Sequence, residues 1–395
     1  MPLDRAIVYC QNYNSFESGQ TVAQAVFQKM GRSPDLLILF CTIQHDIDQL
    51  LAGVRSVLAD SPIIGCTGLG MITPEGCDHA SHSVAAMGLK SEQVRFQPFL
   101  FPDLSQNTHQ VGQQMGHLLA KAQAKSSDRQ LLFLFHDPLA SDCVSLFSGL
   151  KQSYPFHVDV VGGAAGNDYL IGKTYQFFDV AGDRQIMTDA ASGFLMIGDF
   201  HYQIGISHGS RSIGEFRTVT KAEEAIIFEI DHEPALNLLE ALMGEDRLHD
   251  VEQLVNSVCL GVPLKGQNYS EDTIIRVVAG FDPDTNSIRV SNPMPEGTQF
   301  QITRRQPSRV LQETQSMATK LINHLQEPDQ AIYFYFNCDG RGAYLFGEPE
   351  PDVEALQAVI GDRADLFGFF CFAETSPVAH ENTFHACTGI LIAVE

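Results

Sequence analysis

Residues 331–347 read AIYFYFNCDGRGAYLFG. An aromatic, apolar run stops at Asn337. A thiol, a carboxylate and a guanidinium then follow at Cys338, Asp339 and Arg341, with Gly340 and Gly342 set among them. Open α/β folds build sites in this way: a strand ends, and side chains meet bare backbone N–H groups at the carboxyl edge of the sheet. A tight turn around a buried structural cysteine would carry the same letters. The surrounding chain has to separate the two.

Working outward, the same order of elements occurs three times. In the first block Leu36–Cys41 reads as a buried strand. Residues 46–60 form an amphipathic helix with Ile47, Leu50, Leu51, Val54, Val57 and Leu58 on one face, and 63–72, IIGCTGLGMI, form a strand followed by another at 83–89. The second block has a strand at 131–135, a helix at 142–154, VDVVGGAAGND at 158–168 and a last strand at 190–199. The third has a strand at 331–336, a helix at 353–360, LFGFFCFAET at 366–375 and a last strand at 387–394. The two leading strands of a block are spaced by about 30 residues, which suits a parallel crossover through a helix. Glycines recur in the second strand, at Gly65, Gly162, Gly163 and Gly368. Glycine weakens a strand, so its recurrence marks a place where backbone or ligand comes close.

Between the second and third blocks the pattern changes. Residues 201–209 and 214–230 read as antiparallel strands, and 233–243 as a helix with Pro234 in its first turn. Residues 273–280 and 287–290 flank hairpin chemistry at Asp282, Pro283, Asp284, Thr285 and Asn286, and 306–326 reads as a long helix. The fold expected is α/β (α+β): two lobes of mixed β-sheets covered by helices, with internally repeated β-α-β-β blocks, divided into 1–215 and 216–395.

Composition narrows the function. The 395 residues are 44% hydrophobic and 18% charged, with a formal net charge of −23. Such a chain is globular, and its charge argues against nucleic acid or an anionic membrane as partner. No run reaches the roughly 18 apolar residues of a membrane span, and MPLDRAIVYCQNYNS has no signal-peptide pattern, so a cytoplasmic location is expected. The nine cysteines form no C-x-x-C pair. Cys10, Cys41, Cys143, Cys259 and Cys371 sit in apolar runs and read as small hydrophobes of a reducing compartment. Zinc-ligand spacing and H-E-x-x-H are absent, so no metal is expected. Residues 162–168 lack the G-x-G-x-x-G order and are followed by an extended segment. There is no P-loop and no G-x-S-x-G, and no cofactor is expected.

The candidate site gathers strand-end residues. Arg341 has the planar fork suited to an anionic group. Glu374 lies just past a buried strand and supplies the opposite pole, so the pair suits a zwitterion such as an amino acid. Cys338, Asp339, Asn382 and Thr383 join them, with Cys66, Gly163 and Asn167 facing from the amino-terminal half. The alternative is a Cys-dependent hydrolase or transferase with Cys338 or Cys66 as nucleophile and His380 as base. His136 and His208 end apolar strands and read as structural.

Three stretches carry a resemblance. IIGCTGLG with VVGGAAGND, the junction ISHGSRSIGEFRTVTKAEEAIIFEIDHEPALNLLEALMG, and FNCDGRGAYLFG with LFGFFCFAETSPVAHENTF together resemble the FIST family, an N-terminal FIST domain followed by a C-terminal one. The resemblance implies a bacterial, intracellular sensory module that binds a small ligand, amino acids being the expected class. It also implies a stand-alone form that signals through a partner protein. Two positions depart from the family pattern: Ala373 stands where Gly is usual, and Glu381 intervenes between His380 and Asn382.

Overall fold

In a computed structural model the buried strands assemble into three six-stranded mixed sheets and one seven-stranded antiparallel sheet. The structure describes residues 3–122, 125, 128–138, 142–168, 171–243, 259–263, 273–361 and 364–395.

The three mixed sheets share one plan. The first runs Asp4–Gln11, Ser83–Lys90, Leu36–Cys41, Ile63–Thr67, with the last two parallel. The second runs Val94–Phe101, Ala191–Gly198, Arg129–His136, Asp159–Gly163, and again the last two are parallel. The third runs Tyr202–Ser207, Gly389–Val394, Ile332–Cys338, Asp365–Cys371, with the same parallel pair. Each sheet is completed by a hairpin from another block. Gln176–Val180 and Asp183–Met187 of the second block finish the first sheet. Glu374–Val378 and Glu381–His385 of the third finish the second sheet. Gly70–Thr73 and Gly76–Asp78 of the first finish the third sheet. The exchange closes into a cycle, and the three sheets enclose one core.

That core is aromatic. Phe40 of the first sheet, Phe133, Phe135 and Phe194 of the second, and Phe336, Phe367 and Phe369 of the third all belong to it. Phe133 and Phe194 stack at 4.4 Å, and Phe40 meets Phe369 at 4.4 Å. The outer faces carry helix pairs: Ser15–Met30 with Ile47–Arg55, Leu104–Lys121 with Cys143–Ser153, and Pro307–Ile322 with Glu350–Ile360. Strands buried on both faces explain the unbroken apolar runs.

The repeated blocks are as expected, with corrections in detail. Residues 63–72 and 366–375 each read as one strand. Each breaks into two, and the halves enter different sheets. Both halves are buried in each case, but only Gly70–Thr73 carries on the apolar letters; Glu374–Val378 reads ETSPV. Strand Tyr202–Ser207, grouped above with the antiparallel region, pairs instead with Gly389–Val394. The antiparallel sheet, from Ser210–Glu223 to Gln299–Arg305, is thus an insertion between the first strand and first helix of the third block. Strand Val94–Phe101 and helix Leu104–Lys121 were not read from the sequence at all. That helix is largely polar and has a non-helical residue, Asn107, in its first turns. No helix among the described residues is long and apolar enough to cross a membrane.

The recurrent glycines answer to backbone. A Cβ at Gly65 would stand 1.8 Å from the Leu39 carbonyl oxygen, at Gly162 2.0 Å from that of Leu134, and at Gly368 1.8 Å from that of Tyr335. These three pairs occupy equivalent places in the parallel ladders. Gly368→Ala is expected to lower the unfolding free energy by about 3 kcal/mol, since the obstacle is main chain that cannot rotate away. Urea denaturation checks this, and an unchanged midpoint would contradict the close approach.

Candidate functional site

Arg341 turns inward. The strand Ile332–Cys338 passes into the short turn Asp339–Arg341, and the guanidinium folds back beneath it with no solvent exposure. Its Nε and Nη2 bond Asp352 at 3.1 Å, Nη2 also donates to Thr314 Oγ1 at 2.7 Å, and Nη1 donates to the Ser207 carbonyl at 2.7 Å. Asp352 lies in the first turn of helix Glu350–Ile360, where the helix dipole favours a carboxylate. It also accepts from Tyr335 Oη and Asn337 Nδ2, both at 2.9 Å. Burial pulls the Arg341 pKa down, but Asp352, Tyr335 and Glu374 together hold it above the usual value. The residue expected to clamp a ligand therefore ties the third block's strands to both its helices, with every guanidinium nitrogen bonded inside the protein. Asp352, its partner, was not singled out from the sequence. It reads there as an ordinary acidic residue at a helix start.

Beside this network, Cys338, Glu374 and Gly163 do come together. Cys338 and Cys371 are register partners across the parallel pair, and Glu374 pairs with Gly163. A Cβ at Gly163 would stand 3.0 Å from Cys371 Sγ, so the glycine makes room for that thiol. Glu374 is wholly buried; Thr388 donates to it through Oγ1 at 2.5 Å and its N–H at 3.1 Å, and Cys371 Sγ donates at 3.4 Å. Burial pushes its carboxyl up to about 8, against the pull of the Thr388 bonds. Burial also holds the Cys66 thiol well above its ordinary value. His380 stands in the exposed turn between Glu374–Val378 and Glu381–His385, at φ 68, with its ring 5.6 Å from His157. Among the described residues no contact brings it to Cys338 or Cys66.

Asn382 works as a clasp: its Oδ1 accepts from the Val160 N–H and its Nδ2 donates to the Val158 carbonyl, both at 2.9 Å. Both Asn382 and Thr383 also border a groove between the second block and the inserted sheet. One part encloses about 340 Å³ beside Arg276 and Asn292. A second part of about 660 Å³ shares Cys143, Asn292 and Pro293 with it.

The remaining expected residues, Asn167 and Asp339, line a different cavity at the carboxyl ends of the strands. It encloses about 260 Å³, and Thr42, Gln44, His79 and Tyr344 border it with them. All three blocks contribute. Thr42 and Gln44 follow strand Leu36–Cys41, Asn167 follows Asp159–Gly163, and Asp339 follows Ile332–Cys338. Gln44 Nε2 donates to Asp168 Oδ2 at 3.2 Å across the floor. His79 Nδ1 lies 3.9 Å from Asp339, with its ring edge-on to Phe370 at 4.4 Å. Burial pulls the His79 pKa down, though Asp339 and Asp78 oppose it. Thr42 and Gln44 were missed as site residues. The signal for them was the repeat itself, since Thr42 holds in block one the place that Cys338, next to Asp339, holds in block three.

Residues 35–233 match the family model of the FIST N domain, and 235–377 that of the FIST C domain. An uncharacterized protein of Mycobacterium tuberculosis is 26% identical over 383 residues, 94% of either chain. An uncharacterized protein of Mycobacterium bovis is 24% identical over 384 residues, 94% of this chain and 93% of its own.

Proposed function

This chain belongs to the FIST family, whose domains are sensory, and on that premise we propose that it recognises a small polar metabolite at the strand-end cavity and reports occupancy to a partner protein. The observation that carries the reading is the cavity's place: carboxyl ends of parallel strands are where open α/β sheets take ligands, and here loops from all three blocks line one opening. Its 260 Å³ suits a molecule of amino-acid size. With Asp168 and Asp339 in the lining and Arg341 turned away, the group it favours is an ammonium rather than a carboxylate. Because each block supplies a segment, a ligand that draws them together alters the surface of all three, which is what a partner would read.

Calorimetric titration with a panel of free amino acids and small amines tests this. Binding by at least one member is expected. Asp339→Asn should weaken it roughly tenfold or more, the scale of one charged hydrogen bond. No heat from any member of the panel would overturn the assignment.

A further inference from the structure

Helix Cys143–Ser153 forms one wall of a trough. Near its C-terminus a hollow of about 240 Å³ lies among Tyr154, Phe156, His157 and His380. That hollow shares Phe147, Lys151 and Asn382 with the 340 Å³ part of the groove, which in turn shares Cys143 and Asn292 with the 660 Å³ part. The three follow one another along the helix. Its eleven residues span about 16 Å, the length of about five residues of extended chain.

Strand Glu381–His385 forms the opposite wall, and it is an edge: it pairs with Glu374–Val378 and stands outermost in the second sheet. Arg276, which lines the middle part, donates from Nη1 to the Phe384 carbonyl at 3.2 Å, so that carbonyl faces the trough and turns away from Glu374–Val378. Antiparallel alternation turns the N–H and C=O of Asn382 the same way. Its register partner, Pro377, has no N–H with which to hold that carbonyl. The Asn382 side chain is already engaged by Val158 and Val160. What the residue offers the trough is one backbone donor and one backbone acceptor. The rim is apolar at both ends of the helix, where Val144 is 60% and Phe156 72% exposed. The charges at the two ends differ. Asp142 and Glu224 border the part beyond the helix N-terminus. Lys151 stands with His157 and His380 toward the other end, in an exposed pair with Glu381 at 3.1 Å.

We propose that this trough docks an extended segment of a partner protein, added as a strand antiparallel to Glu381–His385. An edge strand with outward-facing backbone groups takes up such a segment; main-chain bonds supply affinity and alternate side chains supply specificity. The antiparallel direction sets the segment's N-terminal end against Asp142 and Glu224 and its C-terminal end against Lys151. The charges therefore select a basic residue first and an acidic residue last. Val144 and Phe156 are covered when the segment docks, which accounts for apolar side chains left so open on the rim. The proposal rests on the sensory reading above for the existence of a partner, while its geometry is independent of the strand-end cavity.

A phage-displayed library of random heptapeptides is panned on the full chain with no amine present, and the enriched peptides are made with a fluorescein label and titrated by anisotropy. The expected sequences carry a basic residue near the N-terminus, an acidic one near the C-terminus and apolar residues at alternate positions between. Ser148 is exposed on the helix and lines the middle part, so Ser148→Trp fills the trough without touching the core; it should weaken binding roughly tenfold or more. Lys151→Glu, at a side chain 71% exposed, should shift the selected C-terminal residue from acidic to basic. Methylating the peptide nitrogen that faces the Asn382 carbonyl should cost roughly fivefold, the scale of one hydrogen bond, and methylating its neighbour should cost less. An unenriched library, binding unmoved by Ser148→Trp, or indifference to backbone methylation would each overturn the proposal. So would a concentration-dependent dimer in ultracentrifugation that Ser148→Trp abolishes, since the occupant would then be a second copy of this chain. Peptide binding by a chain that takes no amine would sustain this site and strike only the ligand reading.

Discussion

Asp352→Ala is expected to lower the unfolding free energy by about 3–5 kcal/mol, the cost of leaving a buried charge without its partner. Asp352 accepts from Thr314, Tyr335, Asn337 and Arg341, and none of these is exposed enough for water to take its place. Removing the carboxylate orphans an interior guanidinium together with three neutral donors. Arg341→Ala should cost a similar amount for the converse reason. The paired change Arg341→Met with Asp352→Leu should recover much of the loss, because apolar groups of similar volume often replace a buried ion pair at little cost. Chemical denaturation of the wild type, the two single alanine variants and the double alanine variant gives the cycle. Strictly additive single losses in the double variant would show that the two residues do not act together. Arg341→Lys separates structure from recognition. If Arg341 held a ligand, Arg341→Lys would lose binding and keep stability, whereas the geometry here predicts the reverse order of damage.

The second large effect concerns pH. Glu374 carries a folded-state pKa of about 8 against an ordinary 4.5, raised by burial. A group raised in this way stabilises the fold fully below its unfolded value, and that contribution is lost as pH rises through the folded value. From about pH 6.5 to about 8 the loss is about 2 kcal/mol, at roughly 1.4 kcal/mol per unit. The buried histidines act in a different window. Burial lowers His136 to about 4, and His208 and His385 to about 3, so their contribution is lost only as pH falls below the ordinary imidazole value. Glu374→Gln should therefore remove the decline that this group imposes between about pH 4.5 and 8, and steepen the acid limb below pH 6.5, where Glu374 opposes the histidines. Melting temperatures across pH 5 to 9 check this; an equally steep decline in the variant would mean that some other group sets the slope.

Much of the fold was legible in the sequence because the strands are buried on both faces. Leu36–Cys41, Arg129–His136 and Ile332–Cys338 announce themselves as apolar runs, and the glycine in each following strand marks the close parallel ladder. The hairpin exchange was hidden: Gly70–Thr73 continues the apolar lettering of the strand before it while leaving for another sheet, and Glu374–Val378, ETSPV, follows Asp365–Cys371 with only two residues between. The site was less legible. Strand-end position led to Asn167 and Asp339, which line the cavity on which the proposal rests. Charge type was the wrong guide for Arg341, because a guanidinium at a strand end and one in the interior are spelled alike. What separates them is Asp352 across the helix start, a contact made by tertiary packing.

The cyclic exchange of hairpins also bears on how the chain reaches its fold. Outside its own hairpin Gly70–Thr73 pairs with Asp365–Cys371, and Asp159–Gly163 gains its outer neighbour from Glu374–Val378. The amino-terminal half therefore leaves the ribosome with one unpaired edge and one homeless hairpin, and both must wait for nearly the last residues to be made. Contacts of such sequence separation slow folding and lengthen the exposure of sticky edges. Failure of either half to fold as a separate product is the expected outcome of that connectivity.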